Sequence, residues 1–119
     1  MTDRELLELA AKSAGIKALR SPEGVLRNCT GFDPVMNIYA APPWAPLHDD
    51  GDALRLAVKL GIRLEFADGW VVANAGSVCA PQFSERTGSD AVAATRRAIV
   101  RAAAEIGKAM QKEHRRTTP

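Results

Sequence analysis

The apolar pattern of the chain predicts an α/β (α+β) protein. The expected architecture is a small three-layer α/β/α sandwich, with three helices around a mainly antiparallel sheet of three to five strands. Three observations carry this expectation. Residues 3–14, 53–60 and 91–112 show helical periodicity. Ile62 to Asn74 alternates about an Asp68-Gly69 pair, as a β-hairpin does. Three helices are also more than one face of a small sheet needs, which favours helices on both faces.

The first helix opens on Thr2-Asp3-Arg4-Glu5, a capping-box pattern in which hydroxyl and carboxylate satisfy each other's backbone donors. From Asp3 to Ala14, Leu6, Leu7, Leu9, Ala10, Ala11 and Ala14 share one broad face. Glu8 and Lys12 stand at ion-pair spacing on the other, and Gly15 is the stop. Five of the seven prolines then fall between Pro22 and Pro46, so no long helix can run there. Val35 to Ala41 alternates as a strand, and Val25 to Thr30 reads as a weaker one.

The stretch from Trp44 to Gly61 organises the rest. Pro42, Pro43 and Pro46 stiffen an extended segment that delivers Trp44 and Leu47 to the next helix. Asp49 or Asp50 is its natural N-cap, with the neighbouring acids at the positive end of the helix dipole. Between Ala53 and Leu60 only Arg55 and Lys59 interrupt the apolar surface, which predicts burial on more than one side. In the hairpin, a two-residue type I′ turn sets Ala67 opposite Trp70, Phe66 opposite Val71 and Leu64 opposite Ala73. Ile62, Leu64, Phe66, Val71, Ala73 and Ala75 then form a core face, and Arg63, Glu65, Trp70, Val72 and Asn74 a mixed one. Val78 to Phe83 is a third strand, and Glu85 to Ser89 a polar connection. Ser89 or Asp90 caps the last helix, Ala91 to Lys112, whose core stripe holds Val92, Thr95, Ile99, Ala102, Ala103, Ile106 and Met110. Residues 1–112 form a single domain, and 113–119 a frayed basic tail.

The 119 residues, 46% hydrophobic and 25% charged, suit one globular domain able to bury roughly two-thirds of its unfolded surface. No apolar run reaches the ~20 residues of a membrane helix. The charged N-terminus lacks a signal-peptide core, so a cytoplasmic location is expected and a membrane partner is not. Cys29 and Cys79 have no metal-site spacing and read as reduced, buried thiols. The net charge of +2 is uneven: residues 1–90 hold 9 basic and 12 acidic side chains, and residues 91–119 hold 7 and 2. Only the C-terminal segment therefore favours anions.

Two stretches resemble the phage ABA-sandwich domain family. One is Trp44-x-Pro46-Leu47-x-Asp49-Asp50-Gly51-Asp52 running on through Leu56-Ala57-Val58-Lys59-Leu60, and the other runs from Ala93 to Gly107. A more distant similarity is to the NinX-like accessory proteins of lambdoid phages. The resemblance implies a three-layer sandwich encoded by a bacteriophage or prophage, expressed in the host bacterial cytosol. It brings no established activity, and residues 16–43 depart from the family pattern.

Catalytic machinery is poorly supplied. There is no GxSxG, P-loop or dinucleotide fingerprint, and only His48 and His114 offer imidazole chemistry. The expectation is a non-enzymatic protein with no cofactor. Asp49, Asp50 and Asp52 beside His48 are weak metal candidates: a cation there meets the positive end of a helix dipole, and capping is the simpler role. Binding is the favoured mode of action, with a host or phage protein as partner. Candidate contacts are Trp44 and Trp70, with Tyr39 completing an aromatic set, and the basic residues Arg96, Arg97, Arg101 and Lys108. Those cations, in an α–β–β–β–α order loosely similar to double-stranded-RNA-binding domains, make nucleic acid the alternative partner. A metal-dependent enzyme at residues 48–52 is the second alternative. The largely apolar second helix and the mixed sheet face also predict a homodimer.

Overall fold

The computed structural model describes residues 1–31, 37–75 and 81–117, of which 114–117 as backbone alone. It shows the expected mixed α+β class: among the described residues, three α-helices, a two-stranded and a three-stranded antiparallel sheet. Helix α1 spans Asp3–Ser13, α2 Asp50–Leu60 and α3 Ala91–Thr117. The small sheet pairs β1 (Ala18–Arg20) with β2 (Leu26–Asn28), and the larger one has the order β3 (Arg63–Ala67), β4 (Trp70–Asn74), β5 (Gln82–Arg86). No helix among the described residues is long and apolar enough to cross a membrane.

Local chemistry places the first elements. The Thr2 hydroxyl accepts from the Glu5 N–H, and the Glu5 carboxylate accepts from the Thr2 N–H, both at 3.2 Å. That is the capping box the sequence spells. The surface ion pair sits one turn earlier than expected, Arg4 to Glu8 at 3.3 Å rather than Glu8 to Lys12. Gly15, at φ 68°, reverses the chain into β1. Leu26–Asn28 falls within the segment expected to be extended. Its partner Ala18–Arg20, three residues long, carries no pattern of its own and is a strand only because β2 lies beside it.

The strand expected from Val35 to Ala41 is corrected. Val35 and Met36 lie outside the described residues, and Ile38–Ala40 form a 3₁₀ turn. Its cause is local: the Asn37 side chain accepts the Tyr39 N–H at 3.0 Å, an Asx-type bond that competes with extended pairing. Tyr39 then donates its hydroxyl to Glu23 at 2.9 Å, and Arg27 lies 5.4 Å from the ring centroid. Desolvation pushes the Glu23 carboxyl up, but the Tyr39 bond, with help from the Glu23 backbone, Ser21 and Arg27, outweighs it and holds the carboxyl below its ordinary value. A carboxylate lowered in this way steadies the loop above its unfolded pKa, and that contribution is lost as pH falls through the folded value. Tyr39→Phe should therefore raise the Glu23 pKa, measured by NMR titration of its side-chain carboxyl carbon.

The proline-stiffened segment behaves as its chemistry dictates. It runs beside β2, with Asn28 N–H donating to Pro42 O and Trp44 N–H to Leu26 O, both at 2.9 Å. Trp44 and Leu47 are thereby delivered into the core. Helix α2 follows, capped by Asp49 and ended by Gly61 at φ 65°. It is not buried on several sides: Ala53, Leu56 and Ala57 are buried, while Leu54 and Val58 remain 62% and 73% exposed.

The β3–β4 hairpin has the predicted register, Leu64 opposite Ala73, Phe66 opposite Val71 and Ala67 opposite Trp70. Its turn differs. No described residue other than glycine has positive φ, so of the two turn residues Asp68 does not and Gly69 does, at 76°. A type I′ turn needs both central residues left-handed, whereas a type II turn asks this only of the second, where Gly69 stands. The third strand also moves. Residues 78–80 of the expected Val78 to Phe83 strand lie outside the described residues, and the observed one is Gln82–Arg86, so Glu85 and Arg86 are strand rather than connection. Helix α3, capped by the Asp90 carboxylate accepting the Ala93 N–H at 2.9 Å, continues to Thr117, past the Lys112 end read from the sequence.

Helix α3 organises the tertiary structure. Its Ala98 and Ala102 pack on Val71 and Ala73 of the sheet, forming one core. Its Ile99, Val100, Ala103 and Ala104 meet Leu6, Ala10, Ala11, Trp44, Leu56 and Ala57, forming another. Helices α1 and α2 thus pack against α3, with α2 also bordering β3, instead of on the sheet's second face. That face, with Arg63, Glu65, Trp70, Gln82, Ser84 and Arg86 exposed, carries no helix among the described residues. The reason is the row of alanines: small side chains on α3 let both neighbours approach closely, so one helix serves two layers.

Candidate functional site

The acidic cluster is a helix start held by named bonds. Asp49 accepts the Asp52 N–H at 2.8 Å as N-cap. Asp52 accepts the Ala45 N–H at 2.9 Å and pairs with Arg55 at 2.7 Å. Asp50 pairs with Arg96 across to α3, and Arg96 also donates to the Leu47 carbonyl at 3.0 Å. Every carboxylate is thus engaged in capping, loop fixation or an ion pair. No group of His, Cys, Asp or Glu side chains among the described residues is arranged to hold a metal ion. Asp49→Ala should cost about 1 kcal/mol through the lost cap, measured by urea unfolding.

The basic face of α3 is wired into the fold. Arg97 reaches Asp3 of α1 at 3.0 Å and Glu85 of β5 at 3.6 Å. Arg101 pairs with Glu85, donates to the Ser84 carbonyl at 3.2 Å, and lies 5.0 Å from the Phe83 ring centroid. These pairs are tertiary, because β5 brings Glu85 to the helix. Lys108 is exposed one turn beyond Ala104. A phosphate approaching Arg96, Arg97 or Arg101 would therefore meet a cation whose charge a neighbouring carboxylate already offsets.

The aromatic candidates separate. Trp44 is only 4% exposed and belongs to the core, so it is corrected from surface candidate to structural residue. Trp70 is 41% exposed on the open sheet face, with the Arg86 guanidinium 5.2 Å from its ring centroid. Beside it Arg63, Glu65, Val72, Asn74 and Gln82 line a shallow depression of about 190 Å³. Tyr39 stands apart in its own contact with Glu23 and Arg27. The structure therefore does not assemble Tyr39, Trp44 and Trp70 into one wall.

A further surface escaped the sequence reading. Between α2, β3 and the start of α3, Ala53, Leu54, Leu64, Phe66, Val92 and Ile99 line an open apolar groove of about 410 Å³, with Asp50 and Arg96 at its margin. Phe66, expected in the core, is 66% exposed there. The signal was present in Leu54, on a helix with more apolar faces than neighbours to cover them. Comparison with protein-family models, curated proteins and solved structures finds no match to this chain.

Proposed function

We propose that this chain is a non-enzymatic accessory protein of a bacteriophage or prophage, and that it acts in the host cell by binding a protein. The phage origin rests on the resemblance of the stretches that begin at Trp44 and at Ala93. The observation that carries the mode of action is the open face of the larger sheet, where Trp70 stands exposed under Arg86. Tryptophan and arginine together are the side chains that most often anchor a protein interface, offering apolar area, a π face and a delocalised cation. Val72 extends the apolar strip, and Asn74 and Ser84 supply polar groups around it.

A photo-crosslinking side chain placed at Val72, in the full chain expressed in bacterial cells, tests this reading. The expected result is capture of one defined protein, with the yield falling about tenfold or more when Trp70→Ala is added. Equal capture from a control site at Lys12 on α1, or capture that ignores Trp70→Ala, would overturn it.

A further inference from the structure

The two edges of the β3–β4–β5 sheet are finished differently. In the hairpin, Ala67 and Trp70 close a two-residue loop and exchange hydrogen bonds, so Glu65–Val72 and Arg63–Asn74 do likewise by alternation. The next pairing, Val72 with Ser84, is then of the non-bonded kind, and the Ser84 carbonyl points out of the sheet. Arg101 takes that carbonyl, so the β5 edge is blunted. On β3 the same alternation turns the backbone groups of Leu64 and Phe66 outward, and no other element pairs with that edge among the described residues. An unblunted strand edge beside exposed Leu54, Val58 and Phe66 is a surface waiting for a strand.

We infer that the occupant is a second copy of this chain, joined β3 to β3 about a two-fold axis at Leu64. An axis perpendicular to the sheet keeps each face on its own side, so an antiparallel strand can pair with its copy only about a residue. Centring on Glu65 sets two carboxylates opposite each other, and centring on Arg63 sets two guanidiniums together. Centring on Phe66 leaves Leu64 opposite Asp68 and Glu65 opposite Ala67. Centring on Leu64 alone matches every pair: Arg63 meets Glu65 of the second copy and Glu65 meets its Arg63, Leu64 meets Leu64, and Ile62 meets Phe66. The outward backbone of Leu64 suits this register, since the central pair then exchanges both of its hydrogen bonds. Ile62 N–H is already given to Ala57 O at 2.9 Å, so the outer pairs bond through the Ile62 carbonyl and the Phe66 N–H.

On the helix side of the joined sheet, the same axis brings the two copies of α2 together with their exposed faces inward. Leu54, which lines the apolar groove with Leu64 and Phe66, would pack in antiparallel fashion and close it, with exposed Val58 one turn further along the same helix. The product is a continuous six-stranded sheet whose opposite face carries two Trp70 side chains. This inference stands apart from the partner-binding reading: the dimer leaves the Trp70 face open, and neither proposal requires the other.

Sedimentation equilibrium of the full chain tests it, using wild type, Glu65→Arg, the double exchange Arg63→Glu with Glu65→Arg, and Val58→Asp. The expected wild-type mass is twice 12.8 kDa. Glu65→Arg puts like charges opposite each other at two symmetric places and should weaken dimerisation about tenfold or more. The double exchange restores opposite charges and should recover the wild-type affinity, which a merely damaged fold would not do. Val58→Asp should be monomeric with an unchanged far-UV spectrum and melting temperature. A wild type that stays monomeric to its solubility limit overturns the proposal. So does a Glu65→Arg dimer as tight as wild type, or a double exchange that fails to recover.

Discussion

Gly107→Ala is expected to destabilise the protein by about 2 kcal/mol or more, although alanine is the better helix former. Two effects compete. Replacing a helical glycine gains about 1 kcal/mol of propensity. Against it, a Cβ built on Gly107 overlaps the Leu9 carbonyl oxygen and lies 2.8 Å from the carbonyl carbon and 3.2 Å from the Leu9 Cα. Those are backbone atoms of α1 and cannot swing aside. The helices must separate, loosening Ala10, Ala11, Ala103 and Ala104 as well. Overpacking of this kind costs about 3 kcal/mol or more and wins. The melting temperature should fall by about 10 °C. Gly51→Ala is the matching control: its Cβ would meet the ends of the Arg55 and Asp49 side chains at 3.2 Å, groups that can give way. It should stay within about 0.5 kcal/mol of wild type. Equal losses at both positions would remove the close-crossing account of α1 and α3.

Trp44→Ala should cost about 3–5 kcal/mol, the usual range for truncating a buried aromatic side chain. Trp44 is packed with Leu6, Leu47, Leu56 and Val100, where α1, α2 and α3 meet the proline-stiffened segment. Its backbone bond to Leu26 survives the substitution, so the loss reports the side chain alone. Set against the ~5–15 kcal/mol total stability of a small domain, the variant should lie close to unfolding at room temperature. Urea denaturation followed by far-UV circular dichroism would show it. A loss below about 1 kcal/mol would mean that the indole does not hold these elements together. Trp70→Ala, by contrast, should leave stability nearly unchanged, which separates the structural tryptophan from the surface one.

Much of this structure is local, and the local part is legible in the residues. The Thr2–Glu5 capping box, the Asp49 and Asp90 caps, the Gly61 stop and the hairpin register all depend on atoms a few positions apart. Hydroxyl, carboxylate and glycine chemistry decide them before any tertiary contact forms. Where local chemistry competed with itself, pattern misled: alternation through Ile38 and Ala40 suggested a strand, and the Asn37 side chain bond made a turn. The capping role of the 49–52 acids was likewise readable, because dipole and spacing favoured it over a metal.

Tertiary structure decided the rest. Periodicity shows that a helix has an apolar face, but not which layer covers it. The alanines of α3 let that one helix serve both the sheet and the helical layer, and this leaves Trp70 open on one side and Phe66, Leu54 and Val58 on the other. The pairing of Arg97 and Arg101 was not legible because their partners, Asp3 and Glu85, lie far off in sequence and arrive only when α1 and β5 dock. An ion pair between distant residues leaves no periodic trace. Local chemistry set the helix starts, their caps and the hairpin register. Which faces remain open, and so where this protein can meet a partner, was settled by how closely small side chains let the layers approach.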